Sequence, residues 1–331
     1  MKFYLKWKKI LSILCLFTLT LSLTLACSRG KQSFNSNNSQ NLAQESSNCR
    51  VISHSLGEEC VSFDLKRPIV LGDLDNLLSL GIKPVGAALW GGYRDFPSYL
   101  KDRTEGITFL GTESEPNLEK IAYLNPNLIL GNKRTHEIIY PHLSKIAPTL
   151  LIKSSDTVDP FFWKKELLFY AKVFNKTDTA KQLLYNYDQR IQSFKQQMGK
   201  DLNQIKVSVL RFYPGGVRLY LKNSFIGGIL QDAGLSRPLS QNREGEFLDI
   251  SPELISELDA DVIFVMEKER VARNNPNESM LAQLKRNALW SQLKGVQNNQ
   301  VYEISETVWV AGAGMIGINL ILDDLFNYLV R

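Results

Sequence analysis

Arginines and aromatic residues recur in this chain beside the ends of apolar runs, where a loop would follow a strand. Arg134 follows Leu128-Ile-Leu-Gly-Asn-Lys133, and 134 residues later Lys268, with Arg270 and Arg273 just beyond, follows Val262-Ile-Phe-Val265. Arg211 ends the run that begins at Val207, Tyr213 and Arg218 flank Pro214-Gly-Gly216, and Trp90, Tyr93 and Arg94 cluster after Val85-Gly-Ala-Ala-Leu89. A guanidinium presents a fixed fork to carboxylates, and an aromatic ring covers flat organic surface. Open α/β sheets bind ligands beyond the carboxyl ends of their strands. The mirrored arginines therefore point to an anionic small ligand held in a cleft between two lobes.

Catalysis finds less support. Gly312-Ala-Gly-Met-Ile-Gly317 spells the dinucleotide pattern G-x-G-x-x-G, but only fourteen residues follow it. That leaves no room for the rest of a βαβ unit, or for the acidic residue about twenty positions on that a ribose needs. Small residues that let a final helix pack closely explain the motif better. Histidine occurs only as His54, His136 and His142, without the spacing of a zinc or other metal site. No G-x-S-x-G elbow or P-loop is present, and the carboxylates form no recognisable catalytic set. The expectation is a binding protein with no cofactor and no protein metal site; an exported enzyme or redox protein using the Gly312 motif is the remaining alternative.

The elements that must position these groups begin after an export segment. Lys2, Lys6, Lys8 and Lys9 precede the uncharged, Leu-rich run Ile10–Ala26, the pattern of a signal over residues 1–26. Thr24-Leu-Ala-Cys27 resembles a bacterial lipobox, which would make Cys27 the lipid-bearing first residue of the mature chain. Residues 27–48 are polar and cannot bury a core, so they form a flexible tether. The formal net charge is +5, and the signal carries four lysines and no acid, leaving +1 for the mature chain. Nucleic-acid binding thereby loses its main electrostatic argument. Export also leaves Cys49 and Cys60 as an even pair in an oxidising compartment, and a disulfide is expected across a hairpin that turns near Gly57.

An internal repeat organises the remainder. Asn117-Leu-Glu119-Lys-Ile121 through Leu130 recurs at an offset of 134, aligning Glu119 with Glu253, Ile121 with Ile255 and Leu124 with Leu258. Each copy spells a short helix opening on an acid, a turn, then a buried strand. Between the copies, helical spacing runs over 161–174 and again over about 177–198, long enough at 1.5 Å per residue to make a rod of about 33 Å. The expected architecture is α/β: two Rossmann-like lobes, 49–170 and 201–331, joined by a single long interlobe helix within 171–200.

From Cys49 onward the chain resembles the periplasmic ferric-citrate and ferric-siderophore-binding proteins of ABC importers. The resemblance is carried by Leu77-Leu-Ser-Leu-Gly-Ile-Lys-Pro-Val-Gly86, Pro116-Asn-Leu-Glu-Lys-Ile121 through Leu130, and Leu143-Ser-Lys-Ile-Ala-Pro-Thr149. It continues in Val207–Arg211, Pro214–Tyr220, Asp232-Ala-Gly-Leu235 and Trp290-Ser-Gln-Leu-Lys294. It implies that Glu119 and Glu253, one per lobe, dock onto arginines of the permease. It also implies that Arg134 and Arg211, then Arg218 and Arg270, contact the chelate, with Trp309 as an aromatic wall. The implied ligand is a ferric siderophore, ferric citrate or a citrate-type hydroxamate, with iron bound through the chelator; cobalamin and haem are the alternatives. The implied partners are the permease and its ATPase. The protein is expected to be a monomer, periplasmic and held to the membrane by its lipid.

Overall fold

The computed structural model describes residues 49–91, 95–153, 158–213, 216–267 and 280–330. Cys49–Arg331 forms one compact unit. It opens with an antiparallel hairpin, β1 (Cys49–His54) and β2 (Gly57–Ser62), in which Val51 faces Cys60. The turn is made at Gly57, whose φ of +141° suits a residue without a Cβ. Cys49 and Cys60 are joined as a disulfide, Cα to Cα 5.6 Å.

The first lobe is a five-stranded sheet of β3 (Pro68–Leu71), β4 (Gly86–Leu89), β5 (Thr108–Thr112), β6 (Leu128–Asn132) and β7 (Thr149–Ile152), all parallel, in the order β5-β4-β3-β6-β7. Every residue of β3, β4 and β7 is buried, as expected of parallel strands covered on both faces. The second lobe is built on β8 (Val207–Tyr213), β9 (Gly216–Tyr220), β10 (Phe247–Ile250), β11 (Val262–Glu267) and β12 (Val301–Glu303), in the order β10-β9-β8-β11-β12. Here β8, β11 and β12 run parallel, while β9 pairs antiparallel with both β8 and β10.

The repeat is visible in three dimensions. Helix α2 (Leu118–Tyr123), capped by Asn117 and carrying Glu119 in its first turn, leads into β6. The 3-10 helix Pro252–Leu258, with Glu253 in its first turn, leads into β11. The second copy is wound more tightly, and Leu254 is non-helical inside it.

Two helices connect the sheets. After α3 (Phe162–Val173), the turn at Asn175 (φ +54°) starts α4 (Thr177–Met198), 22 residues that carry the chain from β7 to β8. Helix α4 buries Tyr187, Ile191, Phe194 and Met198, with Phe194 edge-on to Phe326 of the final helix at 5.4 Å. One apolar core runs without interruption from Leu74 in the first lobe to Leu329 in the last helix. Lobes sharing a large apolar contact move little against each other.

A second tie crosses between the lobes. Helix α1 (Leu74–Ser79) follows β3, and the chain ends in α5 (Glu306–Ala311) and α6 (Met315–Leu329). The first backbone N–H groups of α6 have no partner within the helix. Asp75 of α1 supplies it, accepting from Ile316 N–H at 2.6 Å and Gly317 N–H at 2.9 Å, while Asn76 Oδ1 accepts from Met315 N–H at 3.1 Å. The glycines make this approach possible. A Cβ on Gly314 would lie 2.7 Å from Asp75 Oδ1, and one on Gly317 would lie 2.3 Å from Gly312 O. The G-x-G-x-x-G pattern thus presents a helix N-terminus to an anion, and the anion is a carboxylate from the other lobe. Among the described residues no helix is long and apolar enough to cross a membrane.

Candidate functional site

The carboxyl ends of four parallel strands converge on one cleft. Gly72 and Asp73 leave β3, Leu89 and Trp90 close β4, Glu113 follows β5, and Asn132, Arg134 and Thr135 come from the end of β6 and the turn after it. They line a cavity of about 530 Å³. The chain between β7 and α4 adds Asp159, Phe162 and Glu166; the second lobe adds Glu246 and Phe247 with Ala311 and Ala313. The volume is in the range of small-molecule sites.

Local hydrogen bonds fix these groups. Asp73 caps α1, accepting from Asn76 N–H at 3.0 Å. Fully buried His136 ties two strand ends together, its Nδ1 3.1 Å from Asn132 N and its Nε2 3.0 Å from the Glu113 carbonyl. Burial lowers the His136 pKa, so the ring is neutral. The tautomer that donates from Nε2 to Glu113 and accepts at Nδ1 from Asn132 satisfies both bonds. The Glu113 carboxylate accepts from Asn132 Nδ2 and from the Thr135 hydroxyl.

Among the described residues the lining carries more acids than the arginine pattern predicts. Six carboxylates among the described residues line the cavity, Asp73, Asp75, Glu113, Asp159, Glu166 and Glu246, with one arginine, Arg134. Burial, then the charge of Asp75, pushes Asp73 up to about 8. Burial, then Asp73 and Glu113, raises Glu166 well above the usual carboxylate range. Asp75 is held lower, at about 6, because its bonds from the α6 N-terminus oppose burial.

A pH dependence follows. The fold favours the protonated form of Asp73, so the stability linked to it is complete below about pH 4 and is lost as pH rises through about 8. His54 and His136 have lowered pKa values, so the stability that they contribute is already complete above about 6.5. Thermal unfolding of the ligand-free protein should therefore show Tm falling by a few degrees between about pH 7 and 9. Glu166→Gln should raise Tm at the upper end. A flat profile over that window would show that these carboxyls carry no linkage.

The second-lobe arginines are engaged inside their own lobe. Arg211 pairs with buried Glu306. Arg218 is held bidentately by Asp249, both contacts 2.8 Å, and lies over the rings of Phe247 and Tyr213 at 5.0 and 5.6 Å. Strand register explains the grouping: Arg211 faces Arg218 across β8 and β9, and Arg218 faces Asp249 across β9 and β10. None of Arg211, Tyr213 or Arg218 lines the cavity, although Phe247, beneath the Arg218 guanidinium, does. Trp309 is corrected outright as an aromatic wall. It has no exposed surface, packs on Phe264 at 5.3 Å and donates its indole N–H to Asp324 at 2.7 Å. Arg134 and Trp90 are placed in the cleft; Tyr93, Arg94, Arg270 and Cys27 lie outside the described residues. Glu119 and Glu253 are both exposed.

Sequence reasoning missed Asp73, Glu113, Glu166, Glu246, Phe162 and Phe247. A signal existed for Asp73, which directly follows the buried run Pro68–Leu71 and Gly72. Glu166 carried none, since on a helical pattern it looks like any solvated residue.

Comparison with known proteins bears on this geometry. The family model for periplasmic binding proteins matches residues 73–308. A probable siderophore-binding lipoprotein, YfiY, of Bacillus subtilis (strain 168) is 35% identical over 98% of this chain and 99% of its own length. The Fe(3+)-citrate-binding protein YfmC of the same organism is 31% identical over 93% of each chain. The crystal structure of Staphylococcus aureus SirA complexed with staphyloferrin B superposes with a TM-score of 0.70 at 31% identity, covering 85% of this chain and 98% of that one. These names record siderophores and ferric citrate as bound cargo, not as cofactors of an enzyme. A family model over most of the chain and near-full-length relatives above 30% identity lead to one conclusion: the chain belongs to the periplasmic binding protein family, as a two-lobed α/β binding protein and not an enzyme.

Proposed function

We propose that the chain is the extracytoplasmic receptor of an ABC importer, which captures a ferric siderophore of the citrate type in the interlobe cavity and delivers it to the permease. The observation that carries this reading is the cavity itself. It is walled by both lobes and sized for a small chelate, and relatives of this chain are named for siderophores and ferric citrate. Among the described residues no group of three or more His, Cys, Asp or Glu is arranged to hold a metal ion, and no histidine lines the cavity. Iron would enter inside its chelator, with Arg134 meeting a carboxylate and Trp90, Phe162 and Phe247 covering the organic surface. A lipid on Cys27 would keep the receptor beside its importer.

Mass spectrometry of material co-purified with the protein from iron-starved cells tests the cargo. An iron-bearing chelate is the expected mass; a corrinoid or a haem in its place would overturn the reading.

Glu119 and Glu253 are proposed as the docking points. Both stand exposed in the first turn of equivalent helices, one per lobe, beside the two equivalent strands. Glu119→Ala and Glu253→Ala should leave ligand affinity unchanged while lowering stimulation of the importer's ATPase, each by about tenfold if one charge-assisted contact is lost. Loss of ligand binding in either variant would show that the residue belongs to the cleft and not to docking.

A further inference from the structure

We propose that each lobe carries an apolar anchor for the importer's permease beside its docking glutamate: Tyr123 with Glu119 in the first lobe, and Leu239 with Glu253 in the second. This deepens the receptor reading and rests on it.

Tyr123 and Leu239 are large side chains left 89% and 86% exposed. In α2 the core face is Ile121, whereas Glu119 and Tyr123, four residues apart, share the outer face. The 3-10 helix Pro252–Leu258 is buried in the same pattern, with Ile255 inside and Glu253, Ser256 and Glu257 outside. The offset of 134 that aligns Glu119 with Glu253 sets Tyr123 against Glu257, so the second copy carries no aromatic there.

A separate segment supplies the apolar group instead. The Pro238 carbonyl accepts from Gln241 N–H at 3.0 Å and Asn242 N–H at 2.8 Å, closing a turn. Ser240 Oγ donates to the Glu257 carbonyl at 2.5 Å, which fastens that turn to the docking helix at the residue equivalent to Tyr123. Leu239 stands at its tip. Arg237, Pro238 and Gln241 on either side are buried, so the turn is held from within and presents Leu239 with little left to order on binding.

One exposed apolar residue is ordinary on a protein surface. Here two stand at equivalent places, reached through a helix in one lobe and a loop in the other, each beside an equivalent acid. A matching partner must offer a basic group with an apolar recess next to it, once for each lobe. The glutamates provide attraction that salt screens. The anchors provide a contact that salt does not screen and that keeps water from the charged pair.

Stimulation of ATP hydrolysis by the full chain, added to its importer in detergent, tests this at about 0.1 M and 1 M salt. Tyr123→Ser and Leu239→Ser should each raise the receptor concentration for half-maximal stimulation about tenfold at both salt concentrations, the loss expected for one buried apolar side chain. Tyr123→Phe and Leu239→Met should keep stimulation, as should Tyr185→Ala, which removes a 58% exposed aromatic from α4. Tryptophan quenching by a ferric citrate-hydroxamate should be the same in every variant. Undiminished stimulation by both serine variants would overturn the proposal and leave the receptor reading intact. So would failure of the Phe and Met variants, an equal loss from Tyr185→Ala, or loss of quenching together with stimulation. A loss seen in liposomes but not in detergent would place the two side chains in lipid and overturn it as well. An unmodified chain that neither binds a ferric chelate nor stimulates the importer would overturn the receptor reading and the proposal with it.

Discussion

Gly317→Ala should destabilise the protein by about 3 kcal/mol or more, through overpacking against backbone. Helix propensity alone predicts the opposite sign, since replacing a helical glycine with alanine ordinarily gains about 1 kcal/mol. The structure decides between them. A Cβ at Gly317 would stand 2.3 Å from Gly312 O and 2.4 Å from Gly312 Cα, and both are backbone atoms that no rotamer can move. Relief requires α6 to shift, which pulls Ile316 and Gly317 N–H away from Asp75. Asp75 then loses two of its hydrogen bonds while it stays buried, and a buried charge short of partners is costly. Denaturant unfolding at constant m measures the change. A midpoint at or above that of the unmodified protein would show that the glycines are not there for close packing.

Glu306→Leu should cost about 3–5 kcal/mol, because it leaves the Arg211 guanidinium unpaired where it is largely shielded from water. The side chains of Glu306 and Arg211 are 2% and 15% exposed, and Arg211 Nε has no partner even with Glu306 present. Removing both charges together, as Arg211→Met with Glu306→Leu, should recover most of the loss, since well-packed apolar replacements of buried ion pairs are often neutral. A double variant as unstable as the single one would place the cost in packing around α5 and not in the stranded charge.

Much of the frame was legible because it is written in local pattern. The helix Thr177–Met198 and the turn before it follow from apolar spacing and Asn175, and the hairpin from its two cysteines about Gly57. The repeat located equivalent strands β6 and β11 because each is an uninterrupted apolar run after a short acidic helix. The weak case for a nucleotide at Gly312 also stands, and the close packing expected there is real.

The site was less legible, for physical reasons. Whether an arginine is free depends on its cross-strand neighbour, and nothing local shows that Asp249 lies opposite Arg218 or that Glu306 reaches Arg211 across 95 residues. Trp309 looked available as an aromatic wall because sequence does not show that α6 and β11 close over it. Asp75 sits 241 residues from Ile316, so its role at the helix N-terminus is a property of the folded chain alone. Asp73, Glu113 and Glu166 escaped notice because they come from three separate segments, each with an ordinary local role as a cap, a strand end or a helix face.

The central claim, capture of a ferric chelate in the interlobe cavity, is tested most directly by tryptophan fluorescence. Trp90 lines the cavity and is 49% exposed, whereas Trp163, Trp290 and Trp309 are buried. The full chain would be titrated with ferric citrate, a ferric citrate-hydroxamate, the metal-free chelators and cobalamin. Saturable quenching by a ferric chelate, with little response to the metal-free chelators or to cobalamin, is the predicted result. Tight cobalamin binding with no response to any ferric chelate would contradict it.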